Sequence, residues 1–120
     1  MEVVFTEREG YLEAVLWETS SFPLLKQQIA RVLENCIDRK PPRLLVNMTA
    51  IGGVWSILDR FEIGTLGAQL APHVGRIAAL TQNFMIDPEK FGAQVARNRG
   101  LSVDVFDDRE KALDWLLKPA

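Results

Sequence analysis

The sequence predicts an α/β fold: a mixed, mostly parallel five-stranded sheet, entered through an N-terminal hairpin and covered by about four helices. Three observations carry this. Apolar runs of strand length alternate with longer stretches of helical period. Helical connections between successive strands imply parallel neighbours and right-handed crossovers. The 120 residues, 48% hydrophobic and 25% charged, suit one globular domain over residues 1–120 with a single core.

Glu2 to Thr6 and Tyr11 to Trp17 read as two strands flanking Glu7-Arg8-Glu9-Gly10, where Gly10 supplies a positive φ for a hairpin. On the second strand Leu12, Ala14 and Leu16 share one face. Tyr11, Glu13, Val15 and Trp17 share the other, which is apolar enough for both faces to be covered. Ser20 or Ser21 caps the next helix, with Pro23 in its first turn. Phe22, Leu25, Ile29, Val32, Leu33 and Cys36 follow at helical spacing until Pro41-Pro42 end the segment. Leu44 to Val46 is then a strand buried on both faces.

The second helix, roughly Ser56 to Val74, has two apolar stripes. Ile57, Phe61, Gly64, Ala68 and Ala71 form one, and Ile63, Leu66 and Leu70 the other, bordered by Asp59 and Glu62. One stripe must face the sheet, and Gly64 and Ala68 would let the backbone approach closely. The other needs a neighbouring helix or another molecule. Arg76 to Leu80 is a strand. Asp87 caps a helix with Pro88 at its first position, running through Phe91 and Val95 to Gly100. Ser102 to Phe106 is the last strand, and Asp107 with Glu110 opens a final helix burying Ala112, Leu113, Leu116 and Trp115.

Several function classes are excluded on composition. The net charge is −2 and no basic run is present, so no nucleic-acid partner is expected. A single cysteine, Cys36, allows no intramolecular disulfide and no cysteine metal site. The start MEVVFTEREG is not a secretory signal, and no apolar run reaches the ~18 residues of a membrane span. The expected location is the cytoplasm, with no cofactor and no metal. Gly52-Gly53 opens a strand-to-helix junction, but no lysine follows and no nucleotide-binding pattern surrounds it. That junction offers Asn47, Thr49 and Ser56 as its polar residues. His73 suits a helix C-terminus, Cys36 lies on a core stripe, and Asp59 and Glu62 suit a solvated face. No nucleophile has a base at a catalytic spacing, so no enzyme is expected.

What remains is apolar. Parallel topology gathers strand ends at one sheet edge, where Ile51, Val54 and Trp55 approach Phe84, Met85 and Ile86. Trp17 and Phe22 lie near enough to join them. Such loops seal the core, hold a small apolar ligand, or contact a protein. Burying six methylenes there is worth about 5 kcal/mol gross.

The hairpin, the helix after SSF, the strands LLVNMT and RIAAL and the ending VDVFDDREKALDWL resemble the STAS fold, in its SpoIIAA-like branch of small bacterial proteins. FDDREKALDWL is the most specific part, and the likeness spans almost the whole chain. Regulatory STAS proteins switch by phosphorylation of the second serine in an Asp-Ser-Ser-Gly at the start of the second helix. Laid without gaps here, the Asp falls on Trp55, the first serine on Ser56 and the phosphoacceptor on Ile57, while the strand's usual Asp is Asn47. Phosphoregulation is therefore not carried over. The resemblance implies a non-enzymatic bacterial interaction module, a homodimer or partner binder using Trp55, Ser56, Asp59, Glu62, Ile63, Leu66 and Leu70. The fold is also similar to Sec14-type (CRAL-TRIO) domains, which hold lipids. The alternative is thus a carrier or sensor of a small hydrophobic, lipid-like ligand, held by Ile51, Val54, Trp55, Phe84, Met85 and Ile86.

Overall fold

The computed structural model describes residues 3–82 and 90–119. The elements run β1 (Val4–Arg8), β2 (Tyr11–Val15), α1 (Phe22–Arg39), β3 (Arg43–Asn47), α2 (Ile57–Ala68), β4 (Arg76–Leu80), α3 (Phe91–Asn98), β5 (Val103–Phe106) and α4 (Arg109–Leu116). They build one mixed sheet in the order β1-β2-β3-β4-β5. β1 and β2 are antiparallel, with Arg8 opposite Tyr11 and Glu9-Gly10 in the turn, and all other pairs are parallel. The α/β class, the hairpin and the four helices are as predicted.

Sequential strand order decides where the helices go. Each crossover from β2 to β5 steps in the same direction, so right-handed connections put α1, α2 and α3 on one face. There Leu12, Ala14, Leu44, Val46, Ile77 and Val103 of the sheet join Leu25, Ile29, Val32 and Cys36 of α1 and Ala93 and Ala96 of α3 in the larger core. α4 follows the last strand and takes the opposite face, where Ala112 and Leu116 meet Leu45, Ala78 and Leu80.

The middle helix is α2, and its packing partners are α3 and, less extensively, α1. The contact with α3 is close: a Cβ on Gly64 would lie 2.6 Å from the Gly92 carbonyl oxygen and 2.8 Å from Val95 Cβ. Gly64 therefore docks on α3, and the expected approach of this glycine to the sheet is corrected.

Boundaries follow local chemistry. Ser21 caps α1, its Oγ accepting the Leu24 N–H at 3.4 Å. α2 ends at Ala68 rather than Val74, with turns over 69–73. Pro72 accounts for this, lacking an N–H and disfavouring helical geometry before it. The cap of α4 is Asp108 rather than Asp107; its carboxylate accepts the Glu110 N–H at 2.8 Å. Asp87 and Pro88 lie outside the described residues.

Candidate functional site

Beneath α2 lies a cleft of about 180 Å³. Strand residues Val46, Ile77, Ala79, Val103 and Val105 form its floor. Leu25, Ile29 and Val32 of α1 and Ala93 and Ala96 of α3 form its walls, with Ile63, Gly64 and Gly67 overhead. Ala79 lies beside the middle strand of the sheet and is nevertheless partly accessible, while its neighbour Ala78, on the α4 face, is sealed.

Protein interiors normally pack to crystal-like density, and small side chains are what keep this space open. Gly64 is required by the α2–α3 contact. Gly67 is not: an added Cβ there meets nothing within 4 Å, although a glycine inside a helix costs about 0.5–1 kcal/mol against alanine. Gly67 nevertheless borders the cleft.

Among the described residues, the charged or hydroxyl-bearing ones on the lining are Asp59, Arg60, Thr81 and Lys90. Asp59 completes a capping box, accepting the Ser56 N–H at 3.0 Å while Ser56 Oγ accepts the Asp59 N–H at 3.0 Å. Lys90 Nζ lies 2.9 Å from Asp104 Oδ1 and 5.5 Å from the centre of the Phe106 ring. Arg97 reaches the same oxygen at 2.8 Å. Burial pushes the Asp104 carboxyl up, but the Lys90 and Val105 hydrogen bonds and the Lys90 and Arg97 charges outweigh it and hold the group below its usual value. Arg60 is engaged as well. Thr81, 7% exposed, carries the one hydroxyl on the lining. A surface of this kind suits apolar matter, since Lys90, Arg60 and Asp59 are each engaged with other groups.

Of the loop residues expected to bind a ligand, Ile51, Val54 and Trp55, Trp55 lines the cleft. Its ring lies 5.5 Å from that of Phe22 at 51°, so the expected approach of Phe22 is found. Gly53 has a φ of +108°, and a Cβ there would lie 3.2 Å from the indole. Gly53 thus seats a tryptophan. Ile51 is fully buried, at a bridge with Thr19 where the Gly52 N–H donates to the Thr19 carbonyl at 2.9 Å. Val54 is 97% exposed. Phe84, Met85 and Ile86 lie outside the described residues.

The stripe assigned to a partner turns inward. Ile63 and Leu70 line the cleft, Leu70 is buried, and Leu66 packs against the core. Docking Gly64 on α3 sets this roll of α2. Ile57, Leu58 and Phe61 are the exposed apolar residues of the helix instead. Ser56 and Asp59 serve the cap, and Glu62 pairs with Lys26 of α1 at 3.1 Å.

One buried group escaped the sequence reading. Glu13, 1% exposed on the α4 side of the sheet, accepts from Arg109 at 3.1 and 2.6 Å, from Arg8 at 3.2 Å and from Asn47 at 3.0 Å. The signal was a lone carboxylate in a strand read as covered on both faces. Asn47 Oδ1 accepts from the Thr49 hydroxyl at 2.7 Å, so these junction residues act in structure. Cys36 is sealed, and burial, against the Arg39 charge, pushes its thiol up to about 11.

Compared with known proteins, the chain matches no family model, no curated protein and no solved structure. Among the described residues, no helix is long and apolar enough to cross a membrane.

Proposed function

We propose that this protein is a non-enzymatic binding module that takes a small apolar ligand in the cleft beneath α2. One observation carries the reading: small residues from three elements, Gly67, Ala79, Ala93 and Ala96 among them, border a single apolar space of about 180 Å³. The alternative drawn from the sequence, a carrier or sensor of a hydrophobic molecule, is thereby favoured, with the site moved from the loop tips to the space under the helix.

Trp55 makes this testable, because Trp115 packs on the other face of the sheet and Trp17 is half exposed. Titration with toluene or octanol should shift Trp55 emission, and Trp55→Phe should remove the change. Ala79→Leu fills the floor and should abolish the response while the protein stays folded. Emission indifferent to both probes would end this reading.

A second reading follows from Val54, Ile57, Leu58 and Phe61, which are 97, 72, 73 and 41% exposed around the start of α2. Apolar side chains grouped on a surface mark contact sites. This supports the STAS/SpoIIAA-like expectation of a cytoplasmic bacterial interaction module, including self-association, at the start of the second helix. Light scattering of concentrated protein should then show a dimer that Leu58→Asp disrupts; a wild-type monomer at every concentration removes self-association.

A further inference from the structure

Resting on the proposed apolar-ligand reading, we infer that the ligand is a neutral molecule about the size of one six-membered ring, and not a long-chain fatty acid.

Size comes first. An engineered cavity of about 150 Å³ lined by aliphatic and aromatic side chains holds benzene, whereas drug-sized ligands occupy about 300–1,000 Å³. The cleft, at about 180 Å³, is close to the first and well below the second. Leu25 and Ile29 bound it on one side, Ala93 and Ala96 on the other.

Charge follows from the partners of the lining residues. An anionic headgroup needs a cation to meet it, and burying one without a partner is heavily penalised. Lys90 gives its ammonium to Asp104 and the Phe106 ring, and Arg60 is engaged. A cationic ligand would need Asp59, whose carboxylate accepts the Ser56 N–H in the cap of α2. Taking any of these ions would break a contact the fold already uses. Thr81 remains, a hydroxyl on a buried residue at the end of β4. It suits one hydroxyl or carbonyl group on an otherwise apolar ring.

The test is a titration of protein carrying ¹³C-methyl alanine. Ala79, Ala93 and Ala96 report the cleft, while Ala112, fully buried in the separate core on the α4 face, serves as the internal reference. Toluene and benzyl alcohol should shift the first three methyls and leave the reference still. Benzoate should bind at least about tenfold more weakly than benzyl alcohol, the effect of burying an unpaired charge. Lengthening the alcohol from hexanol to dodecanol should bring no further affinity. Benzoate binding as well as benzyl alcohol would overturn the neutral ligand, and a steady gain with chain length would overturn the size limit. In both cases the cleft remains a binding site. No methyl shift with any probe would overturn the inference together with the reading beneath it.

Discussion

Arg109 Nη2 donates to Glu13 Oε2 across 2.6 Å, tying the first residue of α4 to the middle of β2. α4 packs on β3, β4 and β5, so β1 and β2 lack a covering helix on that side. The carboxylate and the cations around it occupy that part of the face. Arg8 and Asn47 complete the shell, leaving the buried carboxylate with four close donors.

Removing the two partners should not cost the same. Arg109→Met leaves a sealed carboxylate with Arg8 and Asn47 alone, and about 2–3 kcal/mol of stability should be lost. Glu13→Gln leaves two arginines that are each nearly half exposed, and should cost about 1–2 kcal/mol. Urea unfolding of both variants measures the difference. Equal and negligible losses would mean that the cluster does not hold α4 to the sheet.

The same group predicts how stability follows pH. Burial pushes the Glu13 carboxyl up, but hydrogen bonds from Arg109 and Asn47 and the charges of Arg109 and Arg8 outweigh it and hold it below the usual value of 4.5. The Asp104 carboxyl is lowered in the same sense. The unfolded chain therefore binds protons more readily in acid, so the contribution is complete above the ordinary carboxylate range and is lost as pH falls through the lowered values. The urea midpoint should hold steady from neutrality to about pH 5 and drop below about 4. A Glu13→Gln profile as steep as the wild type would show that Glu13 has no part in the drop.

Two glycines three residues apart in α2 should respond with opposite signs. Gly64→Ala forces a methyl against the Gly92 carbonyl and Val95, costing about 1–3 kcal/mol. Gly67→Ala meets open space and should stabilise by about 0.5–1 kcal/mol, at some loss of affinity for apolar probes. Thermal melts decide the first two signs and the alanine-methyl titration decides the third.

In the turn just past the same helix, Leu70→Asp places a charge at a residue 4% exposed, and the variant should fail to fold. Leu58→Asp, at a residue 73% exposed, should stay within about 0.5 kcal/mol of the wild type. Circular dichroism in native buffer separates the two. A folded Leu70→Asp would contradict the burial of Leu70 against the core.

Much of the fold was legible because it rests on local chemistry. Ser21 and Ser56 cap their helices where hydroxyls next to apolar periodicity indicate, and Gly10 turns the hairpin. The site was legible only in part. Trp55 was anticipated near Phe22, and Gly64 and Ala68 were noticed as small. What they approach depends on a helix far along the chain, since Gly64 meets Gly92. Two apolar stripes on one helix give no local cue to which is turned inward.

By itself, then, the sequence determined the α/β class, the number of elements and the Ser21 end of α1, because periodicity and capping act within a few residues. Tertiary structure decided the rest. Strand order put three helices on one face of the sheet, and contact with α3 set the roll of α2. A cleft opened where small side chains from separate elements converged, and Glu13 was sealed beneath Arg109. Each of these is a meeting of distant segments, decided by how the layers pack.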